Sequence, residues 1–107
     1  MMRTTAKFNF RMATELKDRV DIKCRATRQS ISSITTIIFQ KWVNDEFEVE
    51  RDNGSAHNGQ ALTHLDPDLF KLVMLKRQET GANVSAVARA GLRKWADGEW
   101  EVNLGPQ

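Results

Sequence analysis

Polar and apolar residues alternate strictly along Lys7-Phe8-Asn9-Phe10-Arg11-Met12, the period of a half-buried β-strand whose successive side chains point to opposite faces. Phe8, Phe10 and Met12 share the face expected to be buried, and Lys7, Asn9 and Arg11 share the other. The period then lengthens. Leu16, Val20 and Cys24 are spaced by four, which predicts a helix from about Thr14 to Ala26 with one apolar stripe. A second helix is expected to open at Ile31-Ser32, a serine N-cap preceded by an apolar residue. Ile34, Ile37, Ile38 and Trp42 give it a wide apolar stripe. Glu46-Phe47-Glu48-Val49 alternates again and predicts an extended tail laying an aromatic and a valine across the helices.

The same pattern then repeats. A shift of 53 positions aligns the two halves of the chain without a gap, with identical pairs at Leu16/Leu69, Val20/Val73, Lys23/Lys76, Thr27/Thr80, Ser32/Ser85, Lys41/Lys94 and Trp42/Trp95. Identities continue at Glu46/Glu99, Glu48/Glu101 and Val49/Val102, and conservative pairs such as Met12/Leu65, Ile31/Val84 and Phe39/Leu92 lie between them. Internal repetition of this kind means one supersecondary unit used twice. Copy one spans 1–50 and copy two spans 60–107, separated by a polar, glycine-containing linker over 51–59. In copy two the first helix opens at Asp66-Pro67, a capping residue followed by proline at the first helical position, and ends at Gly81. Its second helix is expected to open at Val84-Ser85 and to bury Val87, Ala90, Gly91 and Trp95.

One strand and two short helices cannot bury enough apolar surface to offset their ordering entropy, and a lone strand leaves its backbone groups unpaired. Two such units meet both demands if their strands form an antiparallel ribbon over a shared four-helix core. A linker of about nine residues reaches up to ~30 Å, so the two copies can pair within one chain as a pseudo-dimer. Pairing of each copy with its own counterpart in a second chain is the other arrangement open to this sequence.

Charge changes the picture through its distribution rather than its sum. The chain of 107 residues carries a net charge of only +2. Yet residues 1–44 hold nine basic and three acidic side chains, a net charge of +6, followed by an acidic run at Asp45, Glu46, Glu48 and Glu50. A basic unit of this kind suits a phosphate-bearing partner. The sole cysteine, Cys24, permits no intramolecular disulfide, and the N-terminal MMRTTAKFNF lacks the apolar stretch of a secretory signal, so a cytoplasmic setting is expected. No apolar run approaches the length of a membrane span. His57 and His64 lack metal-ligand spacing to each other or to Cys24. No nucleophile–base pair, phosphate-binding glycine loop or paired-carboxylate motif is present in the sequence. The expectation is therefore a protein that is not an enzyme and that takes no cofactor, metal or small-molecule substrate.

The order strand, helix, helix resembles the ribbon-helix-helix family of the Arc and Met repressors, well over Lys7 to Phe47 and more loosely over Gln60 to Trp100. The resemblance implies a mainly α fold with a short antiparallel β-ribbon, in two tandem copies. It also implies sequence-specific binding of double-stranded DNA, with the ribbon in the major groove and the chain acting as a transcriptional repressor or a plasmid or phage accessory factor. Carried onto this sequence, Lys7, Asn9 and Arg11 would contact bases. Arg and Lys match guanine O6/N7, and Asn can bond adenine at two atoms. Ser32 and Ser33, with Ser85 in copy two, would meet phosphates at the start of the second helices, where the helix dipole favours an anion.

Copy two departs from this pattern. Its outward strand residues are Gln60, Leu62 and His64, a weaker set of base readers in which Gln60 and His64 can still bond base edges. Its first helix replaces Lys17 and Asp21 by Phe70 and Met74, and such an apolar helix is expected to be covered by something, through self-association or a partner. An antitoxin-like or phage protein-interaction module, using Phe70 and Met74 on a protein target, is the alternative class. Trp42 and Trp95 are expected to be core residues, and Cys24 an inert thiol.

Overall fold

The computed structural model of the chain describes residues 5–47, 49 and 59–100. Its elements run β1 (Ala6–Met12), α1 (Thr14–Thr27), α2 (Ile31–Val43), β2 (Gly59–Leu65), α3 (Pro67–Thr80) and α4 (Val84–Ala96). The fold is mainly α, a strand–helix–helix unit used twice, with β1 and β2 paired antiparallel within the one chain. Most of the 51–59 linker lies outside the described residues; its last residue, Gly59, is already the first of β2 and pairs with Met12.

Local chemistry sets the element ends. Asp66 caps α3, its carboxylate accepting the Asp68 and Leu69 N–H groups, and Pro67 takes the first helical position. Gly81 ends α3 in the left-handed conformation. Its repeat counterpart Arg28 ends α1 in the same conformation, at φ 55°, where a side chain is disfavoured. The caps of the second helices differ from the expected Ser32 and Ser85. Ser30 caps α2, accepting the Ser33 N–H, and Asn83 caps α4, accepting the N–H groups of Ser85 and Ala86. The helices start two residues earlier because Ser30 and Asn83 are capping residues themselves and stand in extended backbone.

The two copies interlock. α1 packs on α4 and α3 on α2, while α2 and α4 cross at the centre. Phe10, Met12, Leu16 and Val20 of copy one are buried together with Leu65, Leu69, Val73 and Leu92 of copy two. The second helices bury a slightly different face from the expected one. Ile37 and Ala90 are half-buried, whereas Thr35, Phe39 and Ala88 are fully buried, and the Thr35 hydroxyl is satisfied by the Ile31 carbonyl at 2.7 Å. Cys24 is also only half-buried. Trp42 and Trp95 are buried at matching positions, and Phe47 meets Trp100 edge-on at 4.8 Å. Phe47 of the tail and its repeat counterpart Trp100 thus lie together; Val49 packs on the core, and its counterpart Val102 is outside the described residues.

Two contacts reveal an internal axis. Asn9 pairs with Leu62 in the ribbon, and Ile38 meets Gly91 at the α2–α4 crossing. Each pair joins residues 53 apart, which the repeat makes equivalent. A pseudo-twofold axis therefore runs from the ribbon through the core.

Candidate functional site

The ribbon has one face in the core and one in solvent. Phe10, Met12, Ala61, Thr63 and Leu65 are buried and Phe8 is half-buried. Lys7, Asn9, Arg11, Gln60, Leu62 and His64 are all exposed. The register sets them in facing pairs, Lys7 with His64, Asn9 with Leu62 and Arg11 with Gln60. All the expected base-reading residues thus come together on one small surface, with Leu62 at its centre. The buried Thr63 hydroxyl donates to the Phe8 carbonyl at 3.0 Å, so no polar cost undermines the inner face.

Each edge of the ribbon meets the start of a second helix of the other copy or its first turns. The Ser32 hydroxyl of α2 accepts the His64 backbone N–H at 3.0 Å. At the other end Arg89 of α4 donates through Nη1 to the Arg11 carbonyl at 2.9 Å. These bonds tie the ribbon to α2 and α4, and the first of them sets Ser32 at the ribbon's edge. Ser32 serves first as a tie between helix and strand; an accepting hydroxyl still carries a hydrogen to donate. Ser33 lies within 2.8 Å of the Ser30 hydroxyl, and the Ser85 N–H donates to Asn83 at 3.0 Å. Thr5 adds a hydroxyl 3.3 Å from His64 Nδ1.

Phe70 and Met74 are not the exposed face of α3. Both are half-buried against the core, and Met74 lines an open groove of about 680 Å³ with Phe8, Arg77, Asn83 and Ser85. The apolar residues left in solvent on this helix are Leu72 and Leu75, 49% and 55% exposed. Phe70 adjoins the buried Leu69 and lies three residues before the buried Val73, so it borders the core stripe, while Leu72 and Leu75 lie off that stripe. Leu75 has a counterpart in the exposed Ile22 of α1, its equivalent in the repeat.

Further residues acquire roles that periodicity did not assign. Lys23 and Lys76 each cross to the other copy. Lys23 donates to the Trp95 carbonyl with its ammonium 5.0 Å from that indole's centre. Lys76 does the same at Trp42, 5.1 Å from the ring, and also reaches Asp45. An ammonium over an indole and on a last-turn carbonyl gains from ring quadrupole and helix dipole together. The signal was visible as two identical pairs in the repeat, Lys23/Lys76 and Trp42/Trp95. Arg19 pairs with Asp97 across the same interface. Arg89 had no such signal, since Thr36 holds the equivalent place.

Burial, helped by Asp21, raises the Cys24 thiol above its ordinary range, which suits an unreactive side chain. Among the described residues no His, Cys, Asp and Glu cluster could hold a metal, and no helix is long and apolar enough to cross a membrane. His57 is outside the described residues. No protein-family description, curated protein or solved structure matches the chain.

Proposed function

We propose that the chain binds double-stranded DNA in a sequence-specific way, laying the ribbon's outer face in the major groove. It would act by occupancy, as a transcriptional repressor or as an accessory factor at a plasmid or phage site. The observation that supports this reading is the solvent-facing row Lys7, Asn9 and Arg11 on a ribbon whose other face is core. A two-stranded ribbon fits the major groove, and these side chain types can bond base edges there. The N-termini of α2 and α4 flank the ribbon and offer phosphate contacts through Ser32, Ser33 and Ser85.

The test is binding of duplex DNA across a salt series, with Arg11→Ala beside the wild type. Counterion release makes affinity fall steeply with salt. Arg11→Ala should leave the melting temperature unchanged and weaken the preferred site by about 1–3 kcal/mol. Unchanged affinity in that variant would remove Arg11 from the interface. The exposed Leu72 and Leu75 support a second reading, a module that binds a protein through α3. Salt-insensitive partner binding with no duplex affinity would favour it.

A further inference from the structure

A chain that reads DNA through this ribbon need not see a palindrome, and this inference rests on the reading above. A true twofold dimer presents the same three readers on both strands, so its site must have dyad symmetry. Here the pseudo-twofold axis passes between Asn9 and Leu62, and the residues it relates differ at every position. Lys7 corresponds to Gln60, Asn9 to Leu62 and Arg11 to His64. We propose that the ribbon recognises a DNA site without dyad symmetry, bound in one orientation. Arg11 and Gln60 read one end, Lys7 and His64 read the other, and Asn9 faces Leu62 between them.

The chemistry differs at each end. Arg11 offers two parallel donors suited to guanine, and Gln60 beside it offers the donor–acceptor pair suited to adenine. Lys7 is a point donor, and His64 presents a single ring edge. At the centre Asn9 can bond adenine, while Leu62 has only an apolar surface for a thymine methyl. The anchoring of the two ends differs as well. The Arg11 carbonyl is held by Arg89, whereas the matching end is held by Ser32 on the His64 N–H.

The inner face favours this unequal pairing. Phe8 stands opposite Thr63 and Phe10 opposite Ala61. Pairing copy one with itself would set Phe8 against Phe10 twice, and copy two with itself would set Ala61 against Thr63. In the core, Ile38 fills the space left by Gly91, where a Cβ would lie 2.4 Å from its Cγ2. Two isoleucines would collide there, and two glycines would leave a void. The strong and weak reader rows are therefore presented together.

The experiment selects binding sites from a random duplex library with the full chain. It uses the wild type, Leu62→Asn, and the triple variant Gln60→Lys/Leu62→Asn/His64→Arg. All three substituted positions are exposed, and circular dichroism would show that each variant keeps the fold. The wild type should enrich a motif lacking dyad symmetry, and inverting one half of that motif should weaken binding about ten-fold or more. The triple variant should enrich a palindrome, because each end then carries one arginine and one lysine and the centre two asparagines. Leu62→Asn should change enrichment only at the centre. A palindromic wild-type motif, or an identical motif from the triple variant, would overturn the inference while leaving DNA binding in place. Enrichment of no sequence at all by the wild type would instead overturn the proposed function, and this inference with it.

Discussion

Replacing Gly91 with alanine tests the packing that joins the two copies. The residue lies in mid-α4, and an added Cβ would fall 2.4, 2.6 and 2.8 Å from Cγ2, Cγ1 and Cδ1 of Ile38. Ordinary carbon contacts lie at about 3.5–4.0 Å, so either the helices separate by roughly an ångström or Ile38 leaves its rotamer. Ile38 is fully buried, and a β-branched side chain in a helix has one strongly preferred χ1. Overpacking of this kind costs about 1–3 kcal/mol. Alanine recovers about 1 kcal/mol through helix propensity. With three atoms of one side chain in conflict, the packing cost wins, and a net loss of about 1–2 kcal/mol is expected. The decisive step is to change the background. Ile38→Ala alone should cost about 2–5 kcal/mol by opening a cavity. In that background Gly91→Ala should stabilise, because its methyl enters the void and the propensity gain is unopposed. Urea unfolding followed by tryptophan fluorescence measures all four proteins, with midpoints shifting at unchanged slope. A change of sign between backgrounds, with coupling of about 2–3 kcal/mol, is the expected result. Additive effects, or a Gly91→Ala variant stabilised in the wild-type background, would refute the close α2–α4 approach.

Lys76→Met should destabilise by about 1–2 kcal/mol through loss of a charged bond to the Trp42 carbonyl and of the ring contact. Lys23→Met should cost less, since Gly98 stands where Asp45 partners Lys76; equal costs by thermal melts would argue against a role for Asp45. Arg28→Gly relieves a left-handed residue where copy two already has Gly81, and a gain of about 0.5–1 kcal/mol is expected, read as a higher melting temperature. Because the partner strand is tethered at an effective concentration of roughly millimolar, the melting temperature should not move across a wide dilution series. A temperature that falls steadily on dilution would place the pairing between chains instead.

The alternation over Lys7–Met12, the four-residue spacing of Leu16 and Val20, the Asp66-Pro67 start and the Gly81 stop were all legible locally. Each depends on backbone geometry within a few residues, and the 53-residue repeat added that the unit occurs twice. The exposed row of Lys7, Asn9 and Arg11 was legible for the same reason: a strand with one buried face must expose the other. What periodicity could not decide was which helix meets which. The contacts of Lys23 with Trp95, Lys76 with Trp42 and Ile38 with Gly91 join residues far apart in the chain, and only the crossing of the helices creates them. The apolar girth of α3 likewise left its exposed side undetermined, because nearly every direction around that helix carries an apolar residue. Packing on the shared core turned Phe70 and Met74 inward and left Leu72 and Leu75 in solvent. The second-helix caps fell at Ser30 and Asn83 because the choice among neighbouring capping residues depends on which one takes extended backbone as the chain turns. Local periodicity and the repeat thus specify the unit, its duplication and its outward row, whereas the interlocking of the copies follows from how their surfaces fit.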